Sequence, residues 1–184
     1  MQIPMNLTLR KPATPLDWLR IRLLYRRAFP RYERKPFQII RRMHKEGRTD
    51  VWLAEQDGHF AGLAATINGD GVILLDYLAV HEKRRDKGVG SAMLQALLTL
   101  YEGRGLFVEI EAADQDDPDG SKARRKQFYL RNGLADMHVV AILFGVRMEL
   151  LGQGCTLDFD GYREFYRTYY NSWAAEHVVR PEGD

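Results

Sequence analysis

The stretch Val80-His81-Glu82-Lys83-Arg84-Arg85-Asp86-Lys87-Gly88-Val89-Gly90-Ser91 joins two strongly patterned segments of the chain. The apolar run before it, residues 73–80, is typical of a buried strand that only Asp76 interrupts. The segment after it predicts a helix, because apolar residues recur from Val89 at helical spacing until Gly103. Basic side chains and two glycines therefore lie at a helix N-terminus, where free backbone N–H groups and the helix dipole favour an anion.

The other patterns place this strand-loop-helix unit among strands that are mostly joined by hairpins. Thr14-Pro15 supplies the N-cap and N1 residues of a helix, and Asp57-Gly58 fits a hairpin turn. We therefore predict the fold class α/β (α+β), with a mixed, mostly antiparallel central sheet and flanking helices. The predicted helices cover residues 14–29, 36–44, 89–102 and 121–132, and the predicted strands cover residues 7–10, 51–55, 60–67, 73–80, 106–110, 137–141 and 146–151.

The composition limits the classes of protein that the chain can represent. The 184 residues fit one domain, and the formal net charge of +2 is too small to indicate a nucleic-acid partner. The histidines have no metal-ligand spacing, so we predict no metal. The single cysteine, Cys155, fits a reducing compartment. Because neither a signal peptide nor a membrane-spanning run is visible, we expect a cytoplasmic protein without a membrane partner.

Three motifs together resemble the GNAT acetyltransferase superfamily. The pattern Arg-x-x-Gly-x-Gly at residues 85–90 resembles its pyrophosphate-binding loop. The pattern Tyr-x-x-x-Gly-Leu at residues 129–134 resembles its Tyr-x-x-x-Gly-Phe segment, with leucine in place of the usual aromatic residue. Residues 28–37, Ala-Phe-Pro-Arg-Tyr-Glu-Arg-Lys-Pro-Phe, look like a segment of a bacterial branch of that superfamily.

The resemblance implies an acyl-CoA-binding acetyltransferase domain over residues 1–157, in which two central strands splay apart to admit an amine. Acetyl-CoA is the implied co-substrate, with coenzyme A released. The implied enzyme is an N-acetyltransferase that moves an acetyl group directly to a primary amine of a small molecule or peptide. Since a fold does not fix a function, a non-catalytic acyl-CoA-binding regulatory module is the alternative.

The implied cofactor-binding residues lie mainly in the loop and the strand before it. Leu78, Ala79 and Val80 would pair with the pantetheine arm as an added strand, and a backbone N–H of that strand would stabilise the oxyanion. Arg125 would meet the ribose phosphate, although a solvated helix face explains it equally well. The loop residues that would bind the pyrophosphate are Arg85, Asp86, Lys87, Gly88, Val89, Gly90 and Ser91.

The candidate catalytic groups are those that can move protons between an amine of pKa about 10.4 and a thiol of pKa about 8.5. Tyr129 is the candidate acid, because it matches the family tyrosine; a packing role is the alternative. Asp76 is a candidate base, because a carboxylate within an apolar strand should be paired or functional. Glu109 is a second candidate base, and salt bridges or a water chain remain open for both.

The substrate side and the tail complete the expectations. Phe29, Glu33 and Glu111 are predicted to contact the acceptor amine, and Glu33 is also a further candidate base. Residues 158–184 are predicted to form an aromatic helix that packs on the core or at a homodimer contact, with a frayed end from Val178. The aromatic residues at helical spacing are Tyr162, Phe165, Tyr166, Tyr169 and Trp173.

Overall fold

A computed structural model of the chain describes residues 6–113 and 117–182. The strands are β1 (Leu7–Arg10), β2 (Thr49–Gln56), β3 (His59–Asn68), β4 (Val72–Val80), β5 (Gly105–Glu111), β6 (Ala135–Leu143), β7 (Val146–Gln153) and β8 (Val178–Val179). The helices are α1 (Pro15–Ala28), α2 (Phe37–Lys45), α3 (Val89–Leu100), α4 (Ser121–Arg131), α5 (Phe159–Tyr169) and α6 (Ser172–Glu176). Each strand and helix predicted up to β7 is present, with ends that differ by a few residues.

The strands follow the order β1-β2-β3-β4-β5-β7-β6-β8 in the sheet. Strands β4 and β5 pair in parallel, whereas β1–β2, β2–β3, β5–β7, β6–β7 and β6–β8 pair in antiparallel fashion. This topology confirms the predicted mixed, mostly antiparallel sheet. The parallel ladder joins Val72–Leu74 to Gly105–Phe107, although β4 continues to Val80 and β5 continues to Glu111.

The chain divides into two compact units. The first unit runs to Asn68 and resumes over Leu75–Leu100, and the second comprises Gly69–Leu74 and the described residues from Tyr101 onward. In the first unit, helices α1 and α2 pack against β2 and β3. The core residues of that packing are Ile21, Leu24, Tyr25, Ile40, Val51, Leu53, Leu63, Ala65, Tyr77 and Ala79.

A charged network fixes the start of α1 in the first unit. The Thr14 hydroxyl accepts the Asp17 N–H at 3.1 Å, and the Asp17 carboxylate accepts the Thr14 N–H at 3.0 Å, which is a capping box. Arg10 donates to both Asp17 oxygens, at 2.9 and 2.8 Å. The Arg10 guanidinium holds the pKa of the buried Asp17 carboxyl well below its usual range. The predicted helix start at Thr14-Pro15 is therefore confirmed and is tied to β1.

In the second unit, α5 covers β5 through its aromatic side chains. The fully buried Phe107 ring meets Tyr162 edge to face at 6.4 Å and Phe165 at 5.2 Å between ring centroids. Tyr162 is 0% exposed and Phe165 is 4% exposed, so these residues belong to the core. The aromatic tail therefore packs on its own unit through these residues.

The C-terminal segment differs from its prediction in two respects. The aromatic helix ends at Tyr169, and a second helix begins at Ser172 because the Asn171 side chain accepts the Ala174 N–H at 2.8 Å. The frayed end predicted from Val178 is wrong for β8, whose Val178 is fully buried and pairs with Leu143. Residues 183–184 lie outside the described residues. In the described part of the chain, no helix is both long and apolar enough to span a membrane.

Candidate functional site

Two residues of the loop after β4 have a left-handed backbone conformation, which most amino acids adopt only with strain. The chain leaves β4, makes a 3₁₀ turn at Glu82–Arg84 and enters α3 at Val89. Asp86 and Gly88 have φ values of +60° and +75°, in the left-handed region where glycine carries no steric penalty. Val89 is 1% exposed, so the first residue of α3 is anchored in the core. The loop is consequently held as a fixed turn in front of the helix.

The start of α3 offers backbone donors at its first turn. The first helical hydrogen bond runs from the Ala92 N–H to the Gly88 carbonyl at 3.0 Å. The N–H groups of Val89, Gly90 and Ser91 precede that bond and have no carbonyl partner within the helix. Together with the positive end of the helix dipole, these N–H groups make the start of α3 favourable for an anion.

Two basic side chains of the loop, Arg85 and Lys87, donate to backbone carbonyls, and no described carboxylate neutralises them. Arg85 Nε donates to the Val80 carbonyl at 3.4 Å, and Lys87 Nζ donates to the Lys83 carbonyl at 3.5 Å. Both side chains are exposed, and neither forms an ion pair with a described acidic residue. Their charges remain available to an anion at the N-terminus of α3.

Strand β4 carries the remaining predicted cofactor residues on two alternating faces. Tyr77 and Ala79 are buried in the core, whereas Asp76, Leu78 and Val80 are half-buried on the other face. This alternation is the period-two pattern of a strand with one packed face. The half-buried face therefore carries Asp76, the one acidic residue of the strand.

Asp76 is engaged by a lysine from the segment between α1 and α2. Lys35 Nζ donates to both Asp76 oxygens, at 2.7 and 2.6 Å. The Asp76 side chain is 12% exposed and the Lys35 side chain is 27% exposed, so the pair is largely removed from water. Asp76 is therefore an ion-pair partner in this structure, which is one of the two alternatives left open for it, and its role as a base stays a prediction.

Two buried tyrosines fasten the same segment, residues 29–35, to the first unit. The Tyr77 hydroxyl donates to the Glu33 carbonyl at 3.0 Å and accepts the Lys35 N–H at 3.3 Å. The Tyr25 hydroxyl donates to the Lys35 carbonyl at 3.1 Å. Burial raises the pKa of Tyr77 well above its usual value and that of Tyr25 to about 12, so both phenols keep their protons near neutral pH.

The two predicted substrate residues of that segment have different environments. The Phe29 ring lies 4.9 Å from Tyr77 and 5.6 Å from Tyr25, centroid to centroid. Glu33 is half-buried, and its main chain is fixed by the Tyr77 hydroxyl. The sequence predicted no supporting role for Tyr77, Tyr25 or Lys35 in this segment. The one sequence feature that points to Tyr77 is its position next to Asp76 in an apolar strand.

The candidate acid, Tyr129, lies in the last turn of α4 in the second unit. It is half-buried, and no described residue hydrogen-bonds its hydroxyl. Desolvation raises the pKa of Tyr129 to about 12, against the lowering effect of the Arg125 charge. The phenol is therefore protonated at neutral pH, as a proton donor must be.

The two glutamates of β5 are held by different helices of the second unit. The Tyr166 hydroxyl of α5 donates to Glu109 Oε2 at 2.9 Å, and burial next to this carboxylate raises the pKa of Tyr162 well above its usual value. Glu111 pairs with Lys122 of α4 at 3.4 Å. The contact between Glu109 and Tyr166 was not predicted, because it joins residues far apart in the sequence. The proposed roles of both glutamates stay predictions.

The basic face of α4 divides between paired and unpaired cations. Lys126 forms ion pairs with Asp136, at 3.0 Å, and with Glu149, which raises the pKa of Lys126. Arg125 is exposed and forms no ion pair with a described residue. The Arg125 charge thus remains available to an anion, whereas Lys126 is paired with carboxylates of its own unit.

The predicted site residues form two sets, one in each unit. Asp76, the β4 and loop residues, Phe29 and Glu33 belong to the first unit, and Tyr129, Glu109, Glu111 and Arg125 belong to the second. In residues 6–113 and 117–182, no group of three or more His, Cys, Asp or Glu side chains could hold a metal ion.

Comparison with known proteins identifies the family. Residues 18–133, more than half of the chain, match the acetyltransferase (GNAT) family. The chain belongs to the GNAT acetyltransferase family. It is 30% identical over 103 residues to the "Putative acetyltransferase YjbC" of Bacillus subtilis (strain 168), a match that covers 56% of this chain and 50% of that protein. The chain thus spans about half the length of this curated relative.

Solved structures share the fold at low sequence identity. The "Putative acetyltransferase from GNAT family" of Bacteroides thetaiotaomicron superposes with a TM-score of 0.73 and 20% identity, covering 89% of this chain and 98% of that one. RimL, a ribosomal L7/L12 alpha-N-protein acetyltransferase in complex with coenzyme A, superposes with a TM-score of 0.57 and 14% identity, covering 80% of this chain and 93% of that one. At these identities the likeness concerns the fold alone.

Proposed function

We propose that the protein is an acetyl-CoA-dependent N-acetyltransferase that acts on a primary amine of a small molecule or peptide. The observation that carries the proposal is the loop before α3. There the free N–H groups of the helix N-terminus lie next to the cations of Arg85 and Lys87, which have no described carboxylate partner. A pyrophosphate is an anion of the size and charge that this arrangement fits. Family membership over residues 18–133 supports the same assignment.

Both backbone and side-chain groups of the loop would bind the cofactor. The N–H groups of Val89, Gly90 and Ser91 would bind phosphate oxygens, and Arg85 and Lys87 would balance their charge. The backbone of Leu78, Ala79 and Val80 would pair with the pantetheine arm. Acetyl-CoA would supply the acetyl group as a thioester, which an amine attacks directly. The solved RimL structure is a complex with coenzyme A.

Tyr129 would act as the proton donor to the leaving sulfur. Its hydroxyl is free of described hydrogen-bond partners, and its raised pKa of about 12 keeps the proton in place before transfer. The carboxylate that removes the amine proton is Asp76 or Glu109, or water relays it. Each carboxylate already has a partner, Lys35 for Asp76 and Tyr166 for Glu109, so either would act from a fixed position.

Phe29, Glu33 and Glu111 would contact the acceptor amine. Two carboxylates suit a cationic amine before it loses its proton. RimL, a ribosomal L7/L12 alpha-N-protein acetyltransferase of similar fold, supports a peptide N-terminus as one candidate class of acceptor. We place the enzyme in the cytoplasm of a bacterium, because Cys155 is a free thiol and the curated relative is bacterial.

A homodimer contact stays part of the proposal, through Trp173 of the predicted aromatic tail. Tyr162, Phe165 and Tyr166 of α5 are buried, but Trp173 is 60% exposed and its ring lies 5.5 Å from that of Phe144, which is 48% exposed. Exposed aromatic pairs are typical of interfaces. Molecular mass in solution, compared between the wild type and Trp173→Ser, tests this contact.

Thiol release tests the central proposal. Acetyl-CoA is incubated with a panel of amines and N-terminal peptides, and free coenzyme A is measured together with the mass of the acetylated product. We expect release that depends on both enzyme and amine. Binding of coenzyme A without product on any amine would favour the non-catalytic module.

Gly88→Glu tests the loop and has a matched control in Gly103→Glu. Both glycines have a positive φ, +75° and +81°, and they lie before and after α3. The backbone strain and the added charge are therefore similar, but only Gly88→Glu places a carboxylate at the anion site. We expect coenzyme A to raise the melting temperature of the wild type and of Gly103→Glu but not of Gly88→Glu. Equal shifts in all three would contradict the assignment of the loop.

A further inference from the structure

The outer side of α1 exposes a row of leucines. Leu16, Leu19 and Leu23 are 51%, 50% and 46% exposed, at the spacing i, i+3 and i+7 that aligns side chains along one helix face. The inner face of the same helix buries Ile21 and Leu24 almost completely. The helix therefore presents two apolar faces, and the core covers only one of them.

Arginines border this row of leucines. Because a helix turns about 100° per residue, Arg20 and Arg22 lie on opposite sides of the leucine row. Both arginines are exposed, and neither forms an ion pair with a described carboxylate. Arg41 of α2 adds a third cation on the side of Arg22, with its guanidinium 5.0 Å from the Trp18 ring centroid and no described carboxylate partner. We call these six residues, Leu16, Leu19, Leu23, Arg20, Arg22 and Arg41, the leucine–arginine face.

A groove between α1 and α2 extends this face. It encloses about 480 Å³ and is lined by Trp18, Leu19, Arg22, Phe37 and Arg41, together with the residues at the start of α1. The Trp18 and Phe37 rings meet edge to face at 6.1 Å and form an apolar wall. Arg22 and Arg41 both line the groove, so an apolar group seated there would have cations beside it.

We propose that the leucine–arginine face and its groove bind an acidic amphipathic helix of a partner protein. A partner with apolar side chains at the same spacing would cover the leucines, and acidic residues on both sides would meet the arginines. Such a helix matches both features of the face, the apolar row and the charges on its two sides. None of the six residues of the face belongs to the loop before α3 or to residues 29–35, so the proposal does not depend on the acetyltransferase function.

Charge argues against a second copy of this chain as the occupant. Helices α1 and α2 together contain seven Lys and Arg residues and a single acid, Asp17, which Arg10 already neutralises. In a symmetric dimer through this face, the arginines of one chain would lie against those of the other. Like charges in an interface are unfavourable, so this face selects an acidic partner rather than itself.

The binding experiment uses a synthetic amphipathic peptide with the full-length protein. The probe is a fluorescent 14-residue helix, the length of α1, with leucines at i, i+3 and i+7 and glutamates on both sides of them. A peptide with glutamines in place of the glutamates is the charge control. We expect the anisotropy of the acidic peptide to rise when the protein is added. The affinity for the glutamine peptide should be about tenfold lower, and the affinity for the acidic peptide should fall between about 0.05 M and about 0.5 M salt.

The double variant Arg22→Glu/Arg41→Glu locates the site. These side chains are exposed, so the variant should keep its fold, as circular dichroism and the coenzyme A thermal shift will show. The matched control is Arg124→Glu/Arg131→Glu, which makes the same change of charge on α4 at exposed residues without a proposed cofactor role. We expect the first pair to abolish peptide binding and the second to leave it unchanged. Leu19→Ser should weaken binding about tenfold without changing net charge.

Several results would overturn the proposal. They are equal affinity for the acidic and glutamine peptides, equal loss in both double variants, or no effect of Leu19→Ser. Self-association that Arg22→Glu/Arg41→Glu alters would assign the face to a second copy. Binding to anionic phospholipid vesicles but not to the peptide would assign it to a membrane surface. Loss of peptide binding leaves the thiol-release assay unaffected, so the two proposals fail separately.

Discussion

Tyr77→Phe should loosen residues 29–35 and weaken amine binding while it leaves coenzyme A binding intact. The Tyr77 hydroxyl donates to the Glu33 carbonyl at 3.0 Å and accepts the Lys35 N–H at 3.3 Å, and the side chain is 6% exposed. Phenylalanine keeps the ring contacts with Phe29 and Tyr25, at 4.9 Å each. The substitution therefore removes the two hydrogen bonds to residues 29–35 and keeps the ring packing.

The expected loss of stability follows from those two hydrogen bonds. Each contributes about 1 kcal/mol net, so the free energy of unfolding should fall by about 2 kcal/mol. For a chain of this length, that change lowers the melting temperature by about 4–8 °C. In the variant, residues 29–35 must be ordered when the amine binds. If that ordering costs about 1 kcal/mol of the lost hydrogen-bond energy, the amine KM rises about fivefold.

The pH dependence gives an independent check. Burial, aided by the Asp76 charge, raises the pKa of Tyr77 well above its usual value, so the folded state favours the neutral phenol. The hydroxyl is thus protonated in both the folded and the unfolded state up to about pH 9. The difference in unfolding free energy between Tyr77→Phe and the wild type should therefore stay constant between about pH 6 and about pH 9.

The assay combines thermal unfolding with steady-state kinetics on an amine that the panel identifies. Asp17→Asn is the control for general loss of stability, because it destabilises the same unit without contacting residues 29–35. We expect a raised amine KM in Tyr77→Phe only, with the acetyl-CoA KM unchanged in both variants. An unchanged amine KM in Tyr77→Phe, or an equal rise in both variants, would refute the proposed link between Tyr77 and the substrate segment.

Three further substitutions have definite expected outcomes. Asp17→Asn should cost about 2 kcal/mol, because the charge-assisted hydrogen bonds from Arg10 to Asp17 are lost while Arg10 stays paired with Glu55. Since the pKa of Asp17 is lowered on folding, that cost is full above about pH 4 and shrinks as the pH falls further; a pH-independent cost would contradict it. Gly62→Ala should destabilise by about 1–3 kcal/mol, because the added Cβ would lie 2.6 Å from the Ala79 carbonyl; an unchanged melting temperature would show that β3 shifts freely. Tyr129→Phe should lower kcat about 100-fold with unchanged coenzyme A affinity, and normal turnover would make Tyr129 a packing residue.

Local patterns in the sequence predicted the elements of the fold well, because their physical causes act within a few residues. The capping box at Thr14 and Asp17 and the glycine turn before α3 depend on neighbours in the chain. The mixed sheet followed from the alternation of strands and turns. The C-terminal tail was less predictable, because the short strand Val178–Val179 exists only through pairing with β6.

The sequence by itself determined the strand, basic loop and helix start on which the proposed anion site depends, since these segments are contiguous and each acts on its neighbours. Only the tertiary structure decided what the carboxylates do. Asp76 is paired by Lys35 and Glu109 accepts a hydrogen bond from Tyr166, partners that lie 41 and 57 residues away in the chain. Hydrogen bonds and ion pairs form between groups a few ångströms apart, whatever their separation in sequence, so packing of the whole unit fixes these partners.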